Sequence, residues 1–229
     1  IRIRTFNIIH MNIFVGDKYD QILKRLIDFI GSFILLILFS PLFVILSFAI
    51  KFDSSGPIFA DTPQRVGKKG NLFKMYKFRS MIENAHSLLR RDPKLRTLYE
   101  QYKKNSYKLI DDPRVTVLGK FMRKHSFDEL PQLINVLLGE MSLIGPRAYY
   151  PDELVNQQKK YPKTRELVKR VLSIKPGITG YWQVSGRSEV KFDKRIAMDA
   201  VYIEKRSLWY DIKILAKTPW AMIAGKGAV

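Results

Sequence analysis

The stretch Arg123–Gln132 reads RKHSFDELPQ and places two neighbouring carboxylates just before an apolar segment. The segment carries apolar residues at the spacing of one helix face: Leu130, Leu133, Ile134, Leu137 and Leu138. Pro131 suits the first turn of a helix and would damage a later one. The pattern therefore predicts a helix that begins beside Pro131, with Asp128 and Glu129 at or near its N-terminus.

The residue types around this helix start indicate phosphate chemistry. The N-terminus of a helix attracts anions because its first backbone N–H groups have no partner within the helix. Arg123 lies five residues before Asp128 in the sequence, close enough to help hold a phosphate. A structural alternative stays open, because Asp128 is a good N-cap residue and Ser126 with Glu129 matches a capping box.

The composition points to a polyanionic partner. The chain of 229 residues carries 40 Lys and Arg against 21 Asp and Glu, a formal charge of +19. Nucleic acid, an anionic membrane surface and phosphorylated substrates all fit this excess. The sequence contains no cysteine, which excludes disulfides and thiolate metal sites, and its three scattered histidines make a zinc site improbable.

The first residues are rich in β-formers and predict a strand over residues 1–15. The sequence begins with Ile1 and not with methionine. One interpretation of residues 1–17 is therefore that they are the remnant of an upstream domain.

The longest apolar run, Phe29–Ile50, contains no charged side chain. As a helix it is about 33 Å long, enough to cross a bilayer core of about 30 Å. It lies too far into the sequence for a signal peptide and lacks a small-residue cleavage site. A buried core helix is the alternative, and the length of the run disfavours it.

Ser40-Pro41, near the middle of this run, predicts a kink or a break, because proline removes a backbone hydrogen bond that serine can partly replace. A kinked span and a re-entrant helix that returns to its starting side both follow. Basic residues flank both ends of the run: Lys18, Lys24 and Arg25 before it, and Lys51, Arg65, Lys68 and Lys69 after it. Since positive charge stays on the cytoplasmic side, these flanks favour re-entry.

Two segments beyond the apolar run combine β-forming residues with cations. Leu72–Phe78 predicts a short strand, and Lys74, Lys77 and Arg79 give it either a solvated face or an edge that binds phosphate. Lys175–Arg187 combines turn glycines, aromatic residues and a terminal arginine, which indicates a loop–strand–loop wall of a binding site.

Gly145-Pro146 predicts a rigid turn that points Arg147 in a defined direction. An arginine held in this way suits bidentate recognition of a phosphate better than a flexible lysine.

The remaining sequence predicts helices. Residues 83–110 read as two short helices interrupted by Pro93, and residues 152–172 as one charged helix. The tail Tyr202–Ile223 carries tryptophans beside lysines at helical spacing, which is typical of a helix at a bilayer interface. A helix that faces the core is the alternative for this tail.

Taken in order, these motifs resemble the bacterial sugar transferase family, the monotopic polyprenyl-phosphate sugar-1-phosphate transferases. The resemblance covers residues 18–229 and rests on Lys24–Asp28, Ser40-Pro41, Lys77–Met81, Asp112–Thr116, Arg123–Gln132, Asn135–Leu137, Met141–Arg147, Lys175–Gly180 and Gln183–Arg187. Two departures are visible. Ala148 stands where the family usually has a proline, and Pro63 stands where glutamine is common. They raise questions about subfamily and sugar choice.

The resemblance implies an α-rich α/β fold with a re-entrant N-terminal membrane helix and interfacial amphipathic helices. Residues 18–50 would form the re-entrant helix hairpin around Ser40 and Pro41. Residues 51–229 would form the catalytic domain with its interfacial helices, on the cytoplasmic face of the bacterial inner membrane.

The resemblance also implies transfer of a sugar-1-phosphate from a UDP-sugar to undecaprenyl phosphate, the first membrane step in assembly of O-antigen, capsule or exopolysaccharide. By carry-over, Asp128 attacks the β-phosphorus and releases UMP, and the lipid phosphate then attacks the aspartyl-phosphosugar. Asp128 and Glu129 form the catalytic pair, and Glu129 is expected to coordinate Mg²⁺. The expected substrate-binding residues are Arg123, Arg147, Lys77, Arg79, Arg114 and Arg187.

Anionic membrane lipids are a further implied partner and nucleic acid is not, while a homo-oligomer is left open. The loop Gly180–Arg187 suggests a hexose by analogy. Two competing hypotheses stand beside this assignment. The charge alone also fits a membrane-tethered, non-enzymatic module that binds anionic lipid or nucleic acid, in which Asp128 has no special role. The apolar run also fits a soluble enzyme that uses it as core.

Overall fold

The computed structural model describes residues 13–105, 107, 109, 111–185 and 190–224. Its helices are α1 Gly16–Lys18, α2 Lys24–Asp53, α3 Ala85–Arg91, α4 Arg96–Lys104, α5 Val117–Lys124, α6 Gln132–Leu138, α7 Pro151–Lys160, α8 Arg165–Val171, α9 Tyr181–Ser185, α10 Phe192–Lys205 and α11 Leu208–Ala224. Its strands are β1 Arg65–Val66, β2 Leu72–Phe73, β3 Ser142–Ile144 and β4 Gly177–Thr179. The predicted strand over residues 1–15 lies almost entirely outside the described residues.

The strands form two small sheets, within a fold that is rich in helix, as predicted. β1 pairs with β2 in antiparallel orientation, and β3 pairs with β4 in parallel. The predicted pair of helices in residues 83–110 is confirmed as α3 and α4, joined by a 3-10 turn at Pro93–Leu95. The predicted single helix over residues 152–172 is wrong, because a second 3-10 turn at Pro162–Thr164 separates α7 from α8.

A helical run of 38 residues, Gly16–Asp53, contains the predicted apolar segment and is long and apolar enough to cross a membrane. α2 continues through Pro41 without an interruption. Proline at this position leaves the carbonyl of Ile37 without its helical N–H partner, and the Ser40 hydroxyl donates to that carbonyl at 2.8 Å. The structure therefore has one helix here and not two helices separated by a loop.

One stripe of α2 packs against the rest of the protein along the whole length of the helix. Its buried and half-buried members are Lys24, Asp28, Ser32, Leu35, Phe39, Leu46 and Ile50. Only 11% of the most apolar 18-residue window is buried. Large apolar side chains remain exposed on the other faces: Phe33, Ile34, Ile37, Leu38, Val44, Ile45 and Phe48. The alternative of a soluble enzyme with this run as its core is therefore wrong.

Polar groups attach the N-terminal end of α2 to the domain. The Lys24 ammonium lies 3.0 Å from Asp28 and 2.9 Å from Asp211 on α11. Asp28 also accepts the Leu143 N–H at 3.0 Å. Arg25 donates to the last carbonyls of α6, where the helix dipole favours a cation. These bonds explain why the first turns of this apolar helix carry a charged Lys-Arg-x-x-Asp motif.

The C-terminal end of α2 is attached to the same domain. Leu46 and Ile50 pack in a buried cluster with Phe78 and Met122. Asp53 accepts the Leu118 N–H at 3.2 Å. Because both ends of α2 bind one domain, the helix lies along that domain and does not project away from it.

Candidate active site

The two predicted carboxylates lie in the turn between α5 and α6. Ser126 adopts a left-handed conformation with φ of 59°, which is uncommon for a residue other than glycine. A 3-10 turn follows over Phe127–Glu129, and Pro131 is the N-cap residue of α6. The prediction that the carboxylates lie at the helix N-terminus is confirmed. The capping alternative is wrong, because Pro131 and not Asp128 is the N-cap residue of α6, and Ser126 makes no side-chain cap bond within the described structure.

A backbone contact fixes Asp128 next to Lys77. The Phe78 N–H donates to the Asp128 carbonyl at 2.9 Å, which aligns the two segments. The Lys77 ammonium lies 2.7 Å from Glu129 Oε1 and 3.5 Å from Asp128 Oδ2. One lysine therefore bridges both acids of the pair.

Asp128 is the less readily ionised acid of the pair. It is only 5% exposed, and this burial raises the pKa of its carboxyl. Lys77 and Arg123 oppose the rise, while the neighbouring charge of Glu129 adds to it. Its carboxylate is thus poorly solvated and held by one ammonium, which suits a nucleophile more than a solvated surface charge.

The pKa of Glu129 shifts in the opposite direction to that of Asp128. Burial acts to raise its pKa, but the charges of Lys77, Arg147 and Arg65 outweigh this effect, and the pKa of Glu129 is lowered. Burial likewise acts to lower the pKa of Lys77, but the two acids raise it. Glu129 and Lys77 therefore form a stable ion pair beside Asp128.

The structure brings three of the predicted arginines, Arg114, Arg123 and Arg147, to the same cavity as the carboxylates. Arg123 donates from Nε to the Ser80 hydroxyl at 3.1 Å. Arg147 is held through its backbone N–H, which donates to Asp199 Oδ2 at 3.4 Å. Its buried Nε has no hydrogen-bond partner in the described residues. This donor is available to a bound anion.

Close backbone packing directs the loop that carries Arg147. A Cβ on Gly145 would come within 2.6 Å of the Lys175 carbonyl, and a Cβ on Gly177 within 2.0 Å of the Gly145 nitrogen. Only glycine permits such an approach. The two glycine-containing motifs therefore cross each other in direct contact and place Arg147 at the cavity.

Arg79, predicted to contact phosphate or uridine, is engaged with backbone carbonyls that follow α2. It donates from Nε to Pro57 at 2.6 Å, from Nη2 to Ser54 at 2.7 Å, and from Nη1 to Ser55. All three nitrogens are occupied, so the structure gives Arg79 the role of holding this loop against the domain.

Arg114 is also engaged by the protein itself. Its guanidinium forms a buried, two-bond pair with Asp112 at 2.8 and 2.6 Å, and donates to the Ala85 carbonyl at 2.9 Å. It still lines the cavity. The last predicted substrate-binding residue, Arg187, lies outside the described residues.

The sequence interpretation missed Arg65 as a member of the site. Its guanidinium lies 3.3 Å from the centre of the Tyr150 ring and donates to the Ala148 carbonyl at 3.2 Å. Its buried Nε has no hydrogen-bond partner in the described part of the chain. The sequence analysis assigns Arg65 only to the basic flank of the apolar run, although a charged residue at the start of a buried strand is itself a signal of a site.

The cavity has a volume of about 470 Å³. Both carboxylates line it, together with five cationic side chains: Arg65, Lys77, Arg114, Arg123 and Arg147. Cations in a partly enclosed site attract anions and strengthen hydrogen bonds to phosphate oxygens. The site is therefore suited to a diphosphate that approaches a carboxylate.

Magnesium is compatible with the same residues. Mg²⁺ usually binds one or two carboxylates together with substrate phosphates. The Glu129 side chain is 36% exposed and contacts Lys77 through Oε1. No cluster of three or more metal-ligating side chains occurs among the described residues. Glu129 is thus the residue that would hold the ion, with phosphate oxygens as further ligands.

Fold and site together define a helix-rich protein in which a long apolar helix packs along a cation-lined cavity with a buried carboxylate. Comparison with known proteins identifies the family to which this chain belongs. The family described as "Bacterial sugar transferase" matches residues 19–225. The chain belongs to the bacterial sugar transferase family.

Relatives with assigned names are similar over most of this chain. An undecaprenyl-phosphate galactose phosphotransferase of Salmonella typhimurium is 43% identical over 93% of the chain and 43% of its own length. A UDP-glucose:undecaprenyl-phosphate glucose-1-phosphate transferase of Escherichia coli is 37% identical over 98% of the chain and 48% of its own length. The exopolysaccharide production protein ExoY of Sinorhizobium fredii is 41% identical over 90% of the chain and 87% of its own length. The chain thus spans less than half of several longer relatives.

Proposed function

We propose that this protein transfers a hexose-1-phosphate from a UDP-hexose to undecaprenyl phosphate, the first membrane step in assembly of a surface glycan. The observation that carries the proposal is the buried Asp128 beside Lys77 in a cavity lined by cations. The names of the relatives support galactose or glucose as the sugar.

The proposed reaction has two displacements at phosphorus. An oxygen of Asp128 attacks the β-phosphorus of the UDP-hexose, and the bond from that phosphorus to the oxygen bridging to the α-phosphorus breaks. UMP leaves with the electron pair. A phosphate oxygen of undecaprenyl phosphate then attacks the phosphorus of the aspartyl-phosphohexose. The carboxylate of Asp128 is regenerated, and the product is an undecaprenyl diphosphohexose.

The side chains around Asp128 have distinct tasks in this proposal. Lys77 holds the carboxylate in its ionised form. Arg123 and Arg147 bind oxygens of the donor diphosphate, since an anion can approach a carboxylate only where cations cancel the repulsion. Arg65 is a further phosphate or uridine contact. Mg²⁺, held by Glu129, would supply additional neutralisation of the phosphate charge.

We also propose that α2 lies in the cytoplasmic leaflet of the bacterial inner membrane with both of its ends on the cytoplasmic side, so that the cavity lies at headgroup depth. Its exposed apolar faces and the attachment of both its ends to one domain support this arrangement. Exposed Trp209 and Trp220 support α11 as an interfacial helix. Anionic lipids would meet the basic surface.

The activity is tested by measuring UMP release with a panel of UDP-sugars and undecaprenyl phosphate. UDP-galactose or UDP-glucose should release UMP, and Asp128→Asn should abolish release while the protein stays folded. UMP release by the Asp128→Asn variant at the wild-type rate would overturn the proposal.

The topology is tested by cysteine labelling, which is clean because the chain has no native cysteine. Lys18→Cys places a cysteine before α2 in the sequence, and Lys68→Cys places one after it. Re-entry predicts that an impermeant reagent in intact cells labels neither. Labelling of only one of them would show a span.

A further inference from the structure

The cavity at the carboxylates has a second, apolar end. Its polar end contains Asp128, Glu129 and the surrounding cations, and its other wall comes from α2 and α11. The apolar side chains that matter here are Leu35 and Phe39 on α2 and Leu215, Pro219 and Met222 on α11. We call the space between these side chains the apolar arm.

The apolar arm reaches the surface of the protein between the two helices. Leu215 and Pro219 line the cavity and are also exposed. On the outer faces of the same helices, Trp220 and Leu38 are 76% and 65% exposed. Apolar side chains at this density are typical of a surface that contacts lipid. The arm therefore connects the reacting carboxylate to the face that is expected to contact lipid.

A polar contact fixes one wall of the arm. The Thr218 hydroxyl lies 3.0 Å from the Thr179 hydroxyl on β4 and donates to the Ile214 carbonyl at 2.9 Å. This contact joins α11 to the sheet that also positions the loop of Arg147. The apolar arm is thus part of the same rigid framework as the phosphate-binding end.

A ligand that fills both ends must carry a phosphate next to an apolar chain. The cations at one end fit its phosphate, and the arm excludes water from a hydrocarbon. A nucleoside sugar is polar throughout and does not match the arm. We propose that the arm binds the first isoprene units of the polyprenyl phosphate acceptor. This inference rests on the proposed function, because it assumes that acceptor.

The two half-reactions provide a test that separates the inference from the function. Ala221 lines the cavity and Ala216 on the same helix is exposed and outside it. Ala221→Trp should fill the arm, and Ala216→Trp is the matched control. Each variant is measured twice. The first measurement is the burst of UMP from UDP-hexose without lipid, and the second is transfer from the preformed adduct to undecaprenyl phosphate.

We expect Ala221→Trp to leave the UMP burst within twofold of wild type and to raise the KM for undecaprenyl phosphate about tenfold or more. Ala216→Trp should change neither. An equal loss in both half-reactions would assign the arm to the nucleotide and overturn the inference, and so would no change in either. Absence of a burst in the wild-type protein would instead contradict the proposed function.

A second measurement does not depend on folding of the variants. The wild-type protein is photolysed with an undecaprenyl phosphate analogue that carries a diazirine on its first isoprene unit. Label on peptides from residues 33–43 and 208–224 is expected, with loss of labelling when unlabelled undecaprenyl phosphate is added. Label confined to other peptides would overturn the inference.

Discussion

Replacing Lys77 by methionine should slow formation of the aspartyl-phosphohexose and shift its pH dependence. Methionine keeps an unbranched, flexible chain of similar length and removes the charge. The Lys77 ammonium is 3.5 Å from Asp128 Oδ2, and the lysine side chain is 19% exposed. The substitution therefore removes the largest favourable charge acting on the buried carboxylate.

The size of the effect follows from this geometry. Unit charges at this separation attract by roughly 4–5 kcal/mol at an effective dielectric constant of about 20. Removing one partner of a buried pair costs about 3–5 kcal/mol. Partial exposure of Lys77 favours the lower end, and about 3 kcal/mol corresponds to a rate loss of roughly 100-fold.

The pH profile has a defined sign. Burial raises the pKa of Asp128, and the nucleophile must be ionised, so the rate falls as the pH decreases through that raised pKa. Lys77→Met removes a charge that lowers this pKa. The acid limb of the profile should therefore move to higher pH, and the loss in rate should be largest at low pH.

The assay is the single-turnover UMP burst, followed from pH 5 to pH 9. Lys74→Met is the matched control, because Lys74 lies on the same segment with an exposed side chain, and it should behave like wild type. Lys77→Arg should recover part of the rate. An unshifted acid limb and a rate within threefold of wild type for Lys77→Met would refute the role given to Lys77.

Three further predictions concern other parts of the site and its framework. Arg147→Lys should lower kcat/KM for UDP-hexose at least tenfold with an unchanged circular dichroism spectrum, because lysine loses bidentate geometry; full activity would contradict a phosphate contact. Folding raises the pKa of Asp128, so above the pKa of the unfolded state the ionised carboxylate destabilises the folded protein. Asp128→Asn removes this charge and should raise the Tm in detergent at pH 7, by about 2–4 °C for each kcal/mol of destabilisation removed. A lower Tm would contradict this. Lys24→Met leaves Asp28 and Asp211 without their shared cation and should destabilise the protein by about 3–5 kcal/mol in thermal unfolding; an unchanged Tm would contradict the anchor.

Local patterns in the sequence predicted the elements that depend on neighbouring residues. A run of 22 residues without charge predicts the apolar helix, and the structure extends this helix to Gly16 before the run and to Asp53 after it. Pro131 and the apolar spacing placed Asp128 just before α6. Gly139 ends that helix in the left-handed conformation that glycine favours after the last helical residue.

The partners of the charged residues could not be predicted in the same way. Arg79 and Arg123 look alike in sequence, yet one is surrounded by carbonyls and the other donates to Ser80 beside the carboxylates. The contact of Lys77 with Asp128 arises from a backbone bond between distant segments. Such pairings depend on tertiary packing, which no local pattern encodes.

The apolar helix α2 shows the same limit. Its composition predicted an apolar helix with a proline, and the predicted role of Ser40 in replacing the lost backbone bond is confirmed. The buried stripe that attaches α2 to the domain became visible only in three dimensions. The sequence predicts Lys24 as part of a basic flank, whereas in the structure its ammonium forms buried ion pairs with both Asp28 and Asp211.

The most direct measurement of the central claim is the mass of the peptide that contains Asp128 after acid quenching with UDP-hexose and Mg²⁺ in the absence of lipid. We predict that a fragment spanning residues 124–132 gains the mass of one hexose phosphate, and that undecaprenyl phosphate removes it. An unmodified peptide under conditions in which UMP is released would contradict covalent catalysis by Asp128.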